Sequence, residues 1–144
     1  MKTLYLSFTL ICLCTMACSG TKNLTRNAPL ASPPSGAFDF TEVSTDKSYG
    51  YSSKNPIMVG GSAENEGPRN ERRFLDVLAG PNGEPISYRR SGNCCAFKTE
   101  NGFMGSGLLD MYEIRWEGSD EVVVLYINMY DYTPLKVPVG FTRK

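Results

Sequence analysis

Leu108-Leu109-Asp110-Met111-Tyr112-Glu113-Ile114-Arg115-Trp116, a break at Gly118-Ser119-Asp120, and then Val122-Val123-Val124-Leu125-Tyr126-Ile127-Asn128-Met129-Tyr130 decide the fold of this chain. In the first run Tyr112, Ile114 and Trp116 fall on one side, and Glu113, Arg115 and Glu117 on the other. Such period-two alternation marks a half-buried strand. The second run is apolar on both sides, which places it inside a sheet covered on at least one face. The Gly-Ser-Asp break between them supplies turn chemistry, so the two runs predict an antiparallel hairpin.

Upstream, Pro68 suits a first helical position, and Phe74, Leu75 and Leu78 form one apolar stripe that ends at Gly80-Pro81. Arg72, Arg73 and Asp76 then face water. Gly80-Pro81-Asn82-Gly83 predicts a turn into a strand carrying Ile86 and Tyr88. Ile57-Met58-Val59, stopped by Gly60-Gly61, predicts a short strand, and Phe38 and Phe40 alternate weakly as another. Leu135, Val137, Val139 and Phe141 alternate near the C-terminus, with Pro138 restricting that segment to an edge. The expectation is an α+β domain over residues 38–144, with an antiparallel sheet of about four to six strands packed against one short helix.

The N-terminus belongs to a different class of segment. A basic start at Lys2, an apolar run from Leu4 to Leu13, and Thr15-Met16-Ala17-Cys18 have the layout of a secretory signal. The apolar run of about 10 residues falls short of the roughly 20 that span a bilayer. A small residue before Cys18 matches a bacterial lipobox, with residues 1–17 removed and Cys18 diacylated. Thr15 stands where an aliphatic residue is more usual, and ordinary cleavage after Ala17 is the alternative. Residues 18–37, rich in Ser, Thr, Asn and Pro, read as the lipidated terminus and a tether; residues 19–37 as free coil would reach roughly 25 Å.

The chain carries 15 basic and 15 acidic residues and no histidine. That balance has no electrostatic footprint for nucleic acid, and Arg72-Arg73 and Arg89-Arg90 read as solvated surface. Without histidine the commonest general base and metal ligand is missing, and no cofactor or metal site is expected. Asp110, Glu113 and Asp131 lie near strands, where carboxylates are ordinary. Gly102, Gly105 and Gly107 lack the Lys-Ser or Lys-Thr of a phosphate loop and mark a bulge or tight turn.

Two features carry possible function. Cys94 and Cys95 are adjacent, and neighbouring Cα atoms stand closer than ordinary disulfide geometry allows. Two packed thiols lining a turn near Gly92-Asn93 are the favoured reading; a strained vicinal disulfide serving as redox switch or ligand platform is the alternative. Tyr126, Asn128, Tyr130 and Tyr132, with Asp131 beside them, would offer a binding face of aromatic rings with polar tips. The same residues serve equally well as packing beneath a helix or loop.

Tyr49-Gly50-Tyr51-Ser52, Asn55-Pro56-Ile57, Gly60-Gly61, Asn70-Glu71-Arg72-Arg73, Gly80-Pro81-Asn82-Gly83, Cys94-Cys95-x-Phe97-Lys98-Thr99 and Leu125 to Tyr132 resemble a group of small uncharacterised lipoproteins of Bacteroidota, over residues 49–132. Some of that group are labelled 2-dehydro-3-deoxyphosphooctonate aldolase, an activity that implies a barrel of about 250 residues, more than residues 18–144 supply. The resemblance implies an envelope location. Surface-exposed lipoproteins of that phylum carry acids just after the lipidated Cys, whereas the first acid after Cys18 here is Asp39, which implies the periplasmic face of the outer membrane. The functional expectation is a non-catalytic envelope lipoprotein, held to the membrane at Cys18, that binds a protein or other envelope component. Its alternatives are a thiol-redox protein or enzyme using Cys94 and Cys95, or a periplasmic immunity or inhibitor protein.

Overall fold

The computed structural model describes residues 29–144. The expected signal peptide, Cys18 and the expected tether up to residue 28 lie outside them. In chain order the elements are β1 (Ile57–Met58), α1 (Gly67–Asp76), β2 (Leu78–Ala79), β3 (Ile86–Lys98), β4 (Ser106–Trp116), β5 (Val123–Asn128) and β6 (Thr142–Arg143), with a 3-10 turn over Phe103–Gly105. β1, β5, β4 and β3 lie side by side in that order, and β2 with β6 forms a separate antiparallel pair. The architecture is α+β with one short helix.

The expected hairpin is β4 and β5. Tyr112 faces Leu125 and Ile114 faces Val123 across the ladder. Tyr112, Ile114, Leu125 and Ile127 are buried together with Phe74 and Leu75 of α1, so helix and hairpin share one core. The sheet is not wholly antiparallel. β1 runs parallel to β5, with Ile57 beside Ile127, because the long excursion through α1 and β3–β4 returns the chain in its original direction. β5 also stops at Asn128 and not at Tyr130, for a reason that lies in the Asn128 side chain, described below.

The helix begins after a sharp turn at Gly60-Gly61. Gly61 has φ 96°, and a Cβ there would come within 2.3 Å of the Asn70 side-chain nitrogen, so only glycine fits. The buried Asn70 amide in turn donates to the Gly60 carbonyl at 3.0 Å. The helix ends at Asp76, earlier than the apolar stripe implies. Leu78 is buried on β2, which pairs with β6.

Three other expectations are corrected. Phe38 and Phe40 form no strand; Phe40 stacks on Phe74 with ring centroids 5.3 Å apart. The C-terminal alternation buries Leu135, Val137 and Phe141 yet makes only one ladder contact, Val137 with Val43, since Pro134 and Pro138 remove donors. The packed domain also starts before residue 38. Leu30 exchanges backbone hydrogen bonds with Tyr132, and the Gly61 N–H donates to the Ala31 carbonyl at 2.8 Å.

Leu125 and Ile127 are fully buried on an inner strand. Leu125→Ala and Ile127→Ala should each destabilise the domain by about 2–5 kcal/mol, read as a lower urea midpoint with unchanged slope. A loss below about half a kcal/mol, the size of an ordinary surface change, would show that β5 is not central.

Candidate functional site

The end of β5 is built from side chains far apart in sequence. The Asn128 carbonyl oxygen accepts the backbone N–H groups of Tyr130 (2.8 Å) and Asp131 (3.1 Å), which bends the chain out of the sheet. Its amide donates to Asp131 Oδ2 at 3.0 Å. Asp131 Oδ1 accepts from the Thr99 hydroxyl at 2.6 Å and the Asn101 amide at 2.8 Å. The loop between β3 and β4 is thereby tied to the exit of β5. Lys98, Thr99, Glu100, Asn101 and Asp131, with Pro29 and Gly105, line a cleft of about 520 Å³.

Asp131 is committed to hydrogen bonds within this cleft. Three donors from its own loops occupy its carboxylate, and the Thr99 hydroxyl spends its proton on that carboxylate instead of facing a base. Lys98 and Glu100 bring one charge of each sign. Among the described residues no group of three or more Cys, Asp or Glu is placed to hold a metal ion.

The aromatic residues read from the sequence do not form one face. Asn128, Asp131 and Tyr132 are buried, the first two in the network above. Tyr132 joins the core beside Val59 and Leu30. Tyr126 pairs with Met111; since Leu125 and Tyr112 point into the core, strand alternation puts Tyr126 and Met111 on the opposite, outer face. Both are half-buried. Tyr130 meets Phe97 edge-on at 6.0 Å above Gly107, where a Cβ would come within 2.8 Å of the Tyr130 ring.

Cys94 and Cys95 are joined by a disulfide with Cα atoms 3.7 Å apart, which overturns the favoured reading of two free thiols. They do not sit in a turn between elements. They lie within β3, at a register shift between Cys94 and Phe97, and Cys95 adopts φ 59°, a conformation that costs a non-glycine residue. Cys95 is exposed and Cys94 half-buried. The folded protein in oxidising buffer should therefore resist alkylation at both positions until reduced, and its intact mass should then rise by about two hydrogens, a reaction a free pair could not give. Alkylation of denatured protein without reductant would show that the pair is free.

A second cluster escaped the sequence reading. Glu71 of α1 is fully buried and accepts from the Tyr112 hydroxyl at 2.9 Å; its other oxygen is buried with no partner. Burial first, and the nearby Asp110 carboxylate second, push its pKa up to about 8, against the opposing effects of Tyr112 and Arg90. Arg90 grips Asp110 through two bonds, 2.7 and 2.8 Å, so it is no freely solvated charge. The signal was present in the spacing: Glu71, Phe74 and Leu75 are i, i+3 and i+4, one face of α1.

Linkage fixes the sign of the pH effect. Glu71 holds its proton in the folded state up to about pH 8, whereas the unfolded chain releases it near 4.3. The folded state binds more protons between those values, so stability is full at acid pH and falls as pH rises through that window. The slope is at most one proton, about 1.4 kcal/mol per pH unit. Glu71→Gln should flatten the fall and melt higher than the parent at pH 8; a parent with no decline from pH 5 to 8 would mean that Glu71 is ionised in the fold.

Compared with known proteins, the chain matches no family model, no curated protein and no solved structure.

Proposed function

We propose that this chain is a lipid-anchored envelope protein, held at the periplasmic face of the outer membrane through Cys18, that binds a protein or another envelope component without catalysis. The observation that carries the binding role is the outer face of the sheet. Helix α1 is packed on the face that carries Tyr112, Leu125 and Ile127. On the other face Tyr126 lies beside Met111, both half-buried. Tyrosine and methionine offer large apolar area together with a polar tip or a flexible thioether, the chemistry enriched at protein interfaces. The anchor rests on the lipobox pattern and on the resemblance to Bacteroidota lipoproteins.

The exposed Cys94–Cys95 bond favours a second reading, a thiol-redox role on the β3 edge. It requires the bond to open and close over the redox range of its compartment.

One experiment tests anchor and binding together. Envelope fractions carrying the full-length protein are crosslinked, with Cys18→Ser and Tyr126→Asp in parallel. Wild type should sediment with membranes and give one discrete adduct. Cys18→Ser should move to the soluble fraction, because a diacyl anchor supplies two chains where one is marginal. Tyr126→Asp should stay membrane-bound and lose the adduct. Membrane partitioning unchanged by Cys18→Ser refutes the lipobox; an adduct indifferent to Tyr126→Asp removes the outer face as the binding surface.

A further inference from the structure

The three most exposed large apolar side chains of the described residues each stand within two positions, along the chain, of a residue that lines the cleft described above. Met104 is 88% exposed, Phe103 85% and Leu30 56%. Phe103 and Met104 form the tip of the β3–β4 hairpin, and Gly105 beside them lines the same cleft as Pro29, the neighbour of Leu30. Two of these side chains project from a loop that turns on a non-glycine left-handed residue, Met104 at φ 52°. Glycine or asparagine adopts that conformation more easily than methionine does, so the apolar side chain is kept there at a backbone cost. Burial against the protein's own core does not offset that cost, since Met104 touches almost nothing.

Geometry selects the occupant. Residues 19–28 separate Cys18 from Pro29, and a chain of that length cannot extend beyond roughly 40 Å. That span bounds how far the entry corner can stand from the anchor, and the Phe103–Met104 tip neighbours this corner through Pro29 and Gly105 of the shared cleft. Lys98 against Glu100 and Asp131 gives the cleft no excess of positive charge with which to draw an anionic surface, which leaves apolar burial as the attraction. We propose that Phe103 and Met104, with Leu30, dip into the headgroup–acyl boundary of the bilayer that holds Cys18, fixing the orientation of the domain. An aromatic ring and a methionine are suited to that depth. This inference rests on the lipid anchor proposed above.

The test uses lipidated full-length protein in vesicles of phosphatidylethanolamine and phosphatidylglycerol, floated to confirm attachment. Trp116, the single tryptophan, closes the far end of β4, a strand of 11 residues or roughly 35 Å, and serves as an internal reference. Phe103→Trp adds a reporter at the tip, and Met104→Trp repeats the measurement one residue on. The tip tryptophan should show a blue shift on vesicles and lose most of its emission to brominated lipid, while wild-type emission from Trp116 stays unchanged. Floating protein with an unshifted tip at both positions overturns the tip contact and leaves the anchor standing. A blue shift without quenching by brominated lipid also overturns it and assigns the tip to a protein or a second copy. Failure to float overturns the anchor, and the tip contact falls with it.

Discussion

β5 is the strand on which every other part of the domain leans. Ile127 has Asp110 on one side and Ile57 on the other, and it is fully buried. A strand in that position must satisfy ladders on both edges and fill the core with alternate side chains. Leu125 and Ile127 do this against Phe74 and Leu75 of the helix, and Gly50 lies so close that a Cβ there would meet Ile57 at 2.8 Å. The segment that precedes β1 is recruited by the same strand and the turn that follows it: Leu30 pairs beyond its end at Tyr132, and the Gly50 carbonyl accepts the Tyr126 N–H at 2.8 Å. Few alternatives to this register exist, because a slip by one residue would bring Tyr126 and Val124 into the core and expel Leu125 and Ile127.

The parts legible in the sequence are those where one period runs unbroken. β4 and β5 alternate cleanly, and α1 carries its stripe between a proline and a glycine. β3 was recognised only at Ile86 and Tyr88, although it continues to Lys98. Register shifts after Arg90 and after Cys94 change the phase of the pattern twice, so Gly92-Asn93-Cys94-Cys95 resembles a loop while remaining in the ladder. At the C-terminus the opposite happened: alternation without donors at Pro134 and Pro138 looks like a strand and packs as an irregular segment.

The candidate site was harder to read than the fold because its bonds are long-range. Thr99 and Asp131 meet across 32 positions, and Glu71 reaches Tyr112 across 41. Composition gives no hint of either. Tyr126 lies on the outer sheet face, whereas Asn128 is turned onto the backbone and carboxylate of the residues just after it and Asp131 is held by Thr99 and Asn101 of the β3–β4 loop. The adjacent cysteines were visible at once; their bond follows from the bulge, where Cys95 adopts the backbone conformation that brings the two sulfurs together.

β3 borders the sheet, paired on one side only. A free edge of 13 residues would ordinarily invite another sheet to add on, and were the chain anchored as proposed, molecules crowded into two dimensions would meet edge to edge more often than molecules in solution. The two register shifts divide this edge into short lengths, and the Cys94–Cys95 link sits across the second break. An incoming strand could match no more than a few residues before losing its bonds. The irregularities that hid β3 from a periodic reading are thus what interrupts the edge along which copies of the domain could otherwise knit into a continuous, aggregated sheet.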